Sequence, residues 1–124
     1  MKPITAEWVE KAEGDYKVAI DEWNTSNAVC DAVCFHAQQC VEKYLKAWLT
    51  ERGAEFPRTH DLSMLAKLCL PSVPELSALM DGLHFLTSSS VEIRYPGASM
   101  DAREAEQSLG VARDIRDIFH RKLC

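Results

Sequence analysis

Apolar residues along the first half of the chain recur at intervals of three and four, the spacing that lines them up on one side of a helix. Over residues 6–23 the stripe is Trp8, Ala12, Tyr16, Ala19, Ile20 and Trp23, with Pro3 and Thr5 suited to its start. Residues 24–27, all Asn, Thr or Ser, form a polar connection. A longer helix then runs to about Arg52, with Val33, Ala37, Cys40, Val41, Tyr44, Leu45, Trp48 and Leu49 inward and Gly53 just past its end. Residues 55–59 read as a connector. A short helix carrying Leu62, Leu65, Ala66 and Cys69 follows until Pro71 interrupts it. Pro74 opens the next helix, with Leu76, Leu79, Met80, Leu83 and Leu86 inward, and this helix reaches Val91 or Ile93. Its end is weak, because Thr87, Ser88, Ser89 and Ser90 are poor helix formers and Pro96 disfavours helical backbone at Tyr95, which predicts a break near Arg94. The last helix begins at Ser99 or Asp101, where Asp101 and Glu104 have capping-box spacing, and carries Ala105, Leu109, Ala112, Ile115, Phe119 and Leu123. No alternating strand pattern competes. The chain therefore reads as all-α, about five helices with antiparallel neighbours, in a single domain over residues 1–124.

Composition narrows what such a bundle does. With 124 residues, 47% of them hydrophobic and 27% charged, the chain has the make-up of an ordinary globular domain. It buries about two thirds of its unfolded surface, enough for a core without metal or disulfide staples. The formal charge of −5 excludes generic DNA binding and leaves room only for a local basic patch. No run of ~18 apolar residues occurs and the amino terminus lacks a signal-peptide apolar stretch, so a cytoplasmic protein without membrane contact is expected. Five cysteines are an odd number, and Cys30, Cys34 and Cys40 share one helix. His36 points away from the Cys30/Cys34 stripe, so these thiols read as reduced and packed, with no metal and no cofactor.

Three segments together carry more specific information. They are Phe35-His36-Ala37-Gln38-Gln39-Cys40-Val41-Glu42-Lys43-Tyr44-Leu45-Lys46-Ala47, then Thr59-His60-Asp61-Leu62, then Arg94-Tyr95-Pro96-Gly97. In this order and spacing, with Trp8, Lys11, Ala12 and Asp15 ahead of them, the chain resembles the HEPN family, named for a nucleotide-binding domain of higher eukaryotes and prokaryotes. The resemblance implies an antiparallel four-helix up-and-down bundle with a short extra helix. It also implies a homodimer, often working with a minimal nucleotidyltransferase as a toxin and antitoxin pair. Many members are metal-independent ribonucleases that use an Arg and a His separated by four to six residues: His as general base for the 2′-hydroxyl, Arg for charge on the phosphate. Here Arg94 is followed at those places by Ser99, Met100 and Asp101. Asp101 also stands where the family carries a tyrosine that the partner modifies with AMP.

The expectation is thus a nucleotide- or RNA-binding homodimer rather than an enzyme. Its alternatives are a ribonuclease with a degenerate Arg–His motif whose base is a displaced histidine such as His60, and a pure protein-interaction module. The binding candidates are Arg94, Tyr95, His36, His60, Gln39 and Lys43. His36, Gln39 and Lys43 lie on adjacent helical rows and could form one wall of a polar cleft. The plainer readings stand beside these: His36 bonded to a carbonyl or to Gln39, Lys43 and Lys46 as solvated charge, Thr59 capping the helix after His60, Asp61 favoured there by the dipole, and Arg94 satisfying a helix end.

Overall fold

In a computed structural model, which describes every residue except Arg94, the described residues form five α-helices and one 3-10 helix and no strand. Helix α1 spans Pro3–Trp23, α2 Cys30–Glu51, α3 Leu62–Cys69, α4 Met80–Glu92 and α5 Ala102–Leu123, with the 3-10 segment Pro74–Leu79 ahead of α4. Local chemistry sets these limits. Pro3 occupies the first turn of α1, where a missing N–H is no loss, so the helix starts ahead of Ala6. Gly53, at φ 68°, closes α2: its N–H donates to the Thr50 carbonyl and that of Ala54 to the Leu49 carbonyl, the paired bonds that satisfy a helix end. At the start of α5 the Asp101 carboxylate accepts from the Glu104 N–H at 2.8 Å while the Glu104 carboxylate accepts from the Asp101 N–H at 3.2 Å.

One sequence expectation needs correction here, and another has its physical reason. The segment opened by Pro74 is a 3-10 helix rather than the first turn of α4, because three residues per turn stack Val73, Leu76 and Leu79 on one side, and Val73 and Leu76 are fully buried. The serine-rich end of α4 holds its helical form as far as Glu92 because its hydroxyls are satisfied locally. Ser89 Oγ donates to the Phe85 carbonyl, Ser90 Oγ to the Thr87 carbonyl, and Thr87 Oγ1 accepts from the Leu62 N–H at 3.0 Å, tying α4 to the start of α3.

Helix α2 is the axis of the fold and packs against α1, α3, α4 and α5. Helix α1 runs against it, so that Lys2 meets Glu51 at one end while Asp15 meets His36 further along. Helix α5 runs with it: Asp31 accepts from the Met100 N–H at one end and Tyr44 stacks on Phe119 towards the other. The main core gathers Val41, Tyr44 and Leu45 of α2 with Leu62, Leu65, Leu83, Leu86, Ile115 and Phe119. A smaller cluster of Ala19, Val33, Cys34, Met100, Ala105 and Leu109 fills the end where α2 begins. Trp8, Tyr16 and Trp48 only line the edge of the main core, each half-buried. No described helix is long and apolar enough to cross a membrane.

Helix α4 packs tightly on α5 at Gly82, where an added Cβ would sit 2.8 Å from Val111 Cγ2, on a β-branched side chain with little freedom to move. Gly14, in the interior of α1, has nothing within 4 Å of such a Cβ. Gly82→Ala is therefore expected to destabilise the protein by about 1–3 kcal/mol through overpacking. Gly14→Ala should stabilise it by about 0.5–1 kcal/mol. Urea unfolding midpoints of the two variants check both signs, and equal shifts would refute the packing argument.

Candidate functional site

Because α2 is covered on most sides, polar residues on its flank are enclosed rather than solvated. Gln38, Glu42 and Lys46, spaced at i, i+4 and i+8, form one such buried row. Glu42 is its centre: it accepts from Gln38 Nε2 at 3.1 Å, from Lys46 Nζ at 3.0 Å and from His60 Nδ1 at 2.8 Å. Gln39 Nε2 extends the row by donating to Gln38 Oε1 at 2.8 Å. Burial works against the Glu42 charge, yet the hydrogen bonds from His60 and Lys46 outweigh it and hold this carboxyl below the usual carboxylate range. An ionised Glu42 can only accept, so His60 donates from Nδ1 and keeps Nε2 for something else. The Glu42 side chain is 6% exposed while that of His60 is 68% exposed, so the ring is gripped from beneath and open above.

One turn towards the start of α2, Asp15 of α1 accepts from His36 Nδ1 at 2.8 Å and pairs with Lys43. His36 and Glu42 are six residues apart on α2, about 9 Å along its axis and about 120° around it, so the two carboxylate-held histidines occupy separate positions on the flank of α2. A third carboxylate, Glu13, is structural: Arg116 grips it with two bonds of 2.7 Å and Tyr44 Oη donates to it at 2.7 Å. The Arg116 bonds hold the Glu13 carboxyl low, and Arg116 also lies 4.8 Å from the Tyr16 ring centroid. The cysteines have no such partners. Burial pushes the Cys34 thiol to about 11 and that of Cys69 to about 12, which leaves them unreactive.

The structure gathers four of the six sequence candidates into two separate networks, His36 with Lys43 through Asp15 and Gln39 with His60 through Gln38 and Glu42. His36 bonds Asp15 rather than a carbonyl or Gln39, and Gln39 reaches His60 only through Gln38 and Glu42. Lys43 and Lys46 are not solvated charge, because each is largely covered and paired with a carboxylate. Helix α3 is capped by Asp61, whose carboxylate accepts from the Met64 N–H, while Thr59 Oγ1 accepts from the Asp61 N–H one step earlier. Tyr95, 65% exposed, sits in the turn before α5 and has no described bond to the other candidates. Arg94 lies outside the described residues.

Asp15 and Glu42 entered the sequence reading only as residues that carry the resemblance, with no site role, and Arg58 was missed. The only available signal was the four-residue spacing of Gln38, Glu42 and Lys46, which marks a row without saying that the row is buried. Arg58 matters because it joins Trp8, Lys46, Phe56, Thr59 and His60 around a groove of about 600 Å³.

The fold is thus built around a polar-flanked central helix beside which two histidines are held by carboxylates. The HEPN domain family model matches residues 5–123, and the chain belongs to that family, a nucleotide-binding and RNase-type family. Among solved structures it is similar to an archaeal HEPN homologue, at 26% identity over 100% of both chains with a TM-score of 0.76. A protein of Thermus thermophilus shares the fold at 23% identity, with a TM-score of 0.77 over 96% of this chain and 98% of that one. Among curated proteins no sequence matches.

The depressed carboxyls give acid sensitivity a definite sign. Glu13 and Glu42 titrate lower in the folded chain than the ordinary value of 4.5, so their stabilisation is present above that value and is lost as pH falls through the folded values. Urea midpoints should be flat above about pH 5 and fall below it. Glu42→Gln is expected to cost about 1–3 kcal/mol at pH 7, and its deficit should shrink towards pH 3. A deficit that stays constant with pH would mean that Glu42 contributes by packing alone.

Proposed function

We propose that residues 1–124 form one HEPN unit that works as a homodimer, binds a nucleotide or an RNA end, and pairs with a minimal nucleotidyltransferase. The observation that carries this reading is the polar flank of α2. There His36 and His60 are each held through Nδ1 by a buried or half-buried carboxylate, with Lys43, Gln39 and Lys46 alongside. Among the described residues neither ring's Nε2 is bonded, so each histidine is fixed in orientation with one nitrogen left for a ligand. A carboxylate that orients a histidine costs desolvation and is worth having where the outer nitrogen meets something.

Dimer formation is supported by exposed apolar residues at one end of the molecule. Phe35, beside His36, is exposed together with Val91 and Tyr95, which flank the end of α4. Ile93 and Cys34, neighbours of these residues in sequence, pack in the same small cluster, so the start of α2 and the end of α4 lie close together. That end also carries Arg94 in sequence, the residue the family uses for phosphate. Cleavage is the weaker reading. Asp101, at one of the three places open to the family histidine, is committed to capping α5, and Met100, at another, is buried.

Light scattering at micromolar concentration should give twice the 14.0 kDa chain mass. Under metal-free conditions the protein should cleave RNA no faster than its Arg94→Ala variant. A monomer mass removes the dimer from this reading, and a clear rate loss in Arg94→Ala would put the ribonuclease in its place.

A further inference from the structure

We infer that the groove between α1 and the segment before α3 is a seat for one nucleoside phosphate. Trp8 and Phe56 offer the base an aromatic surface, Arg58 and Lys46 bind the phosphate, and His60 Nε2 accepts from a sugar hydroxyl. This deepens the proposed nucleotide binding and rests on it.

The first support is charge. In a chain with 19 acidic and 14 basic residues, this groove is lined by Lys46 and Arg58 and by no acidic side chain. Glu42, the carboxylate bonded to two of the lining side chains, lies beneath Lys46 and His60 and is nearly inaccessible. It balances Lys46, and among the described residues Arg58 makes no ion pair, so the groove keeps a net positive charge facing outward. An Arg fork in such a place matches the geometry of a phosphate.

The second support is the kind of bond each wall can make. Lys46 Nζ stands 5.8 Å from the Trp8 ring centroid while bonded to Glu42, which fixes the indole and leaves two ammonium protons for a ligand. Trp8 and Phe56 are half-buried against the core, rigid enough to receive a flat ring and open enough to be reached. His60, donating to Glu42 through Nδ1, presents a lone pair at Nε2, which suits a hydroxyl donor and not an anion. A ligand that supplies a flat ring, a hydroxyl and a phosphate within about 600 Å³ is a nucleotide, either free or at the end of a strand.

The test is calorimetric titration of AMP, ribose 5-phosphate and 5′-phosphorylated tetraadenylate into the full chain and its Arg58→Ala and Trp8→Leu variants, with folding checked by circular dichroism. Arg58→Ala is expected to weaken AMP binding about tenfold to a hundredfold. Ribose 5-phosphate should bind wild type more weakly than AMP and be insensitive to Trp8→Leu. The tetraadenylate arm tells a free mononucleotide from a strand end. Independently of any variant, AMP added to wild type should shift the Trp8 indole and His60 imidazole nitrogen resonances and leave the Trp23 and Trp48 indoles in place. If AMP binds, Arg58→Ala binds it as well as wild type and the Trp8 and His60 signals stay still, the seat is excluded while nucleotide binding stands. If nothing binds at millimolar ligand, the seat and the broader reading fall together.

Discussion

The fold turns on an ionised carboxylate placed almost inside it. Glu42 is on the helix that every other α-helix packs against, so its charge has little access to water and must be met by protein groups. Lys46 and Gln38 come from its own helix, one turn to either side, and His60 comes from the loop that follows. The loop is thereby pinned to α2, which sets where Arg58 and Phe56 fall. Removing one partner would leave charge stranded, so the set stands or falls together.

Most helices could be read from periodicity, because their inward positions are long runs of Leu, Ala, Val and Ile and their ends carry specific chemistry at Gly53 and Asp101. Val33, Ala37, Cys40, Val41, Tyr44, Leu45 and Leu49 are all buried as the pattern requires. The number of neighbours around α2 could not be read. A charged residue on a helix with one packed face is solvated, whereas on a helix packed by four others it is enclosed, and nothing local to Glu42 or Lys46 distinguishes the two cases. The His60–Glu42 bond spans eighteen residues of sequence, and the Asp15–His36 bond twenty-one, so neither leaves a short-range trace. The 3-10 geometry after Pro74 was lost for a different reason: its buried Val73 and Leu76 fit a helix of either pitch.

The two histidines are similar in mounting and different in surroundings. His36 stands beside exposed Phe35 at the end of the molecule that holds the turn with Tyr95, whereas His60 opens on a groove with its own cations and aromatic rings. Under the proposed function the two positions divide two tasks that a single cleft would have to combine, one for a second copy of the chain and one for a small ligand.

The capping of α5 has an evolutionary reading. Among the three places where a histidine would complete the Arg–His spacing, Asp101 closes the helix with its side chain, and Met100 is buried with its N–H bound to Asp31. Only Ser99 is exposed and makes no described side-chain bond. A route from this architecture to the nuclease form of the family therefore narrows to one position. A histidine at Ser99 would supply the spacing without disturbing a described bond, whereas one at Asp101 would remove the cap of α5 and one at Met100 would replace a buried side chain.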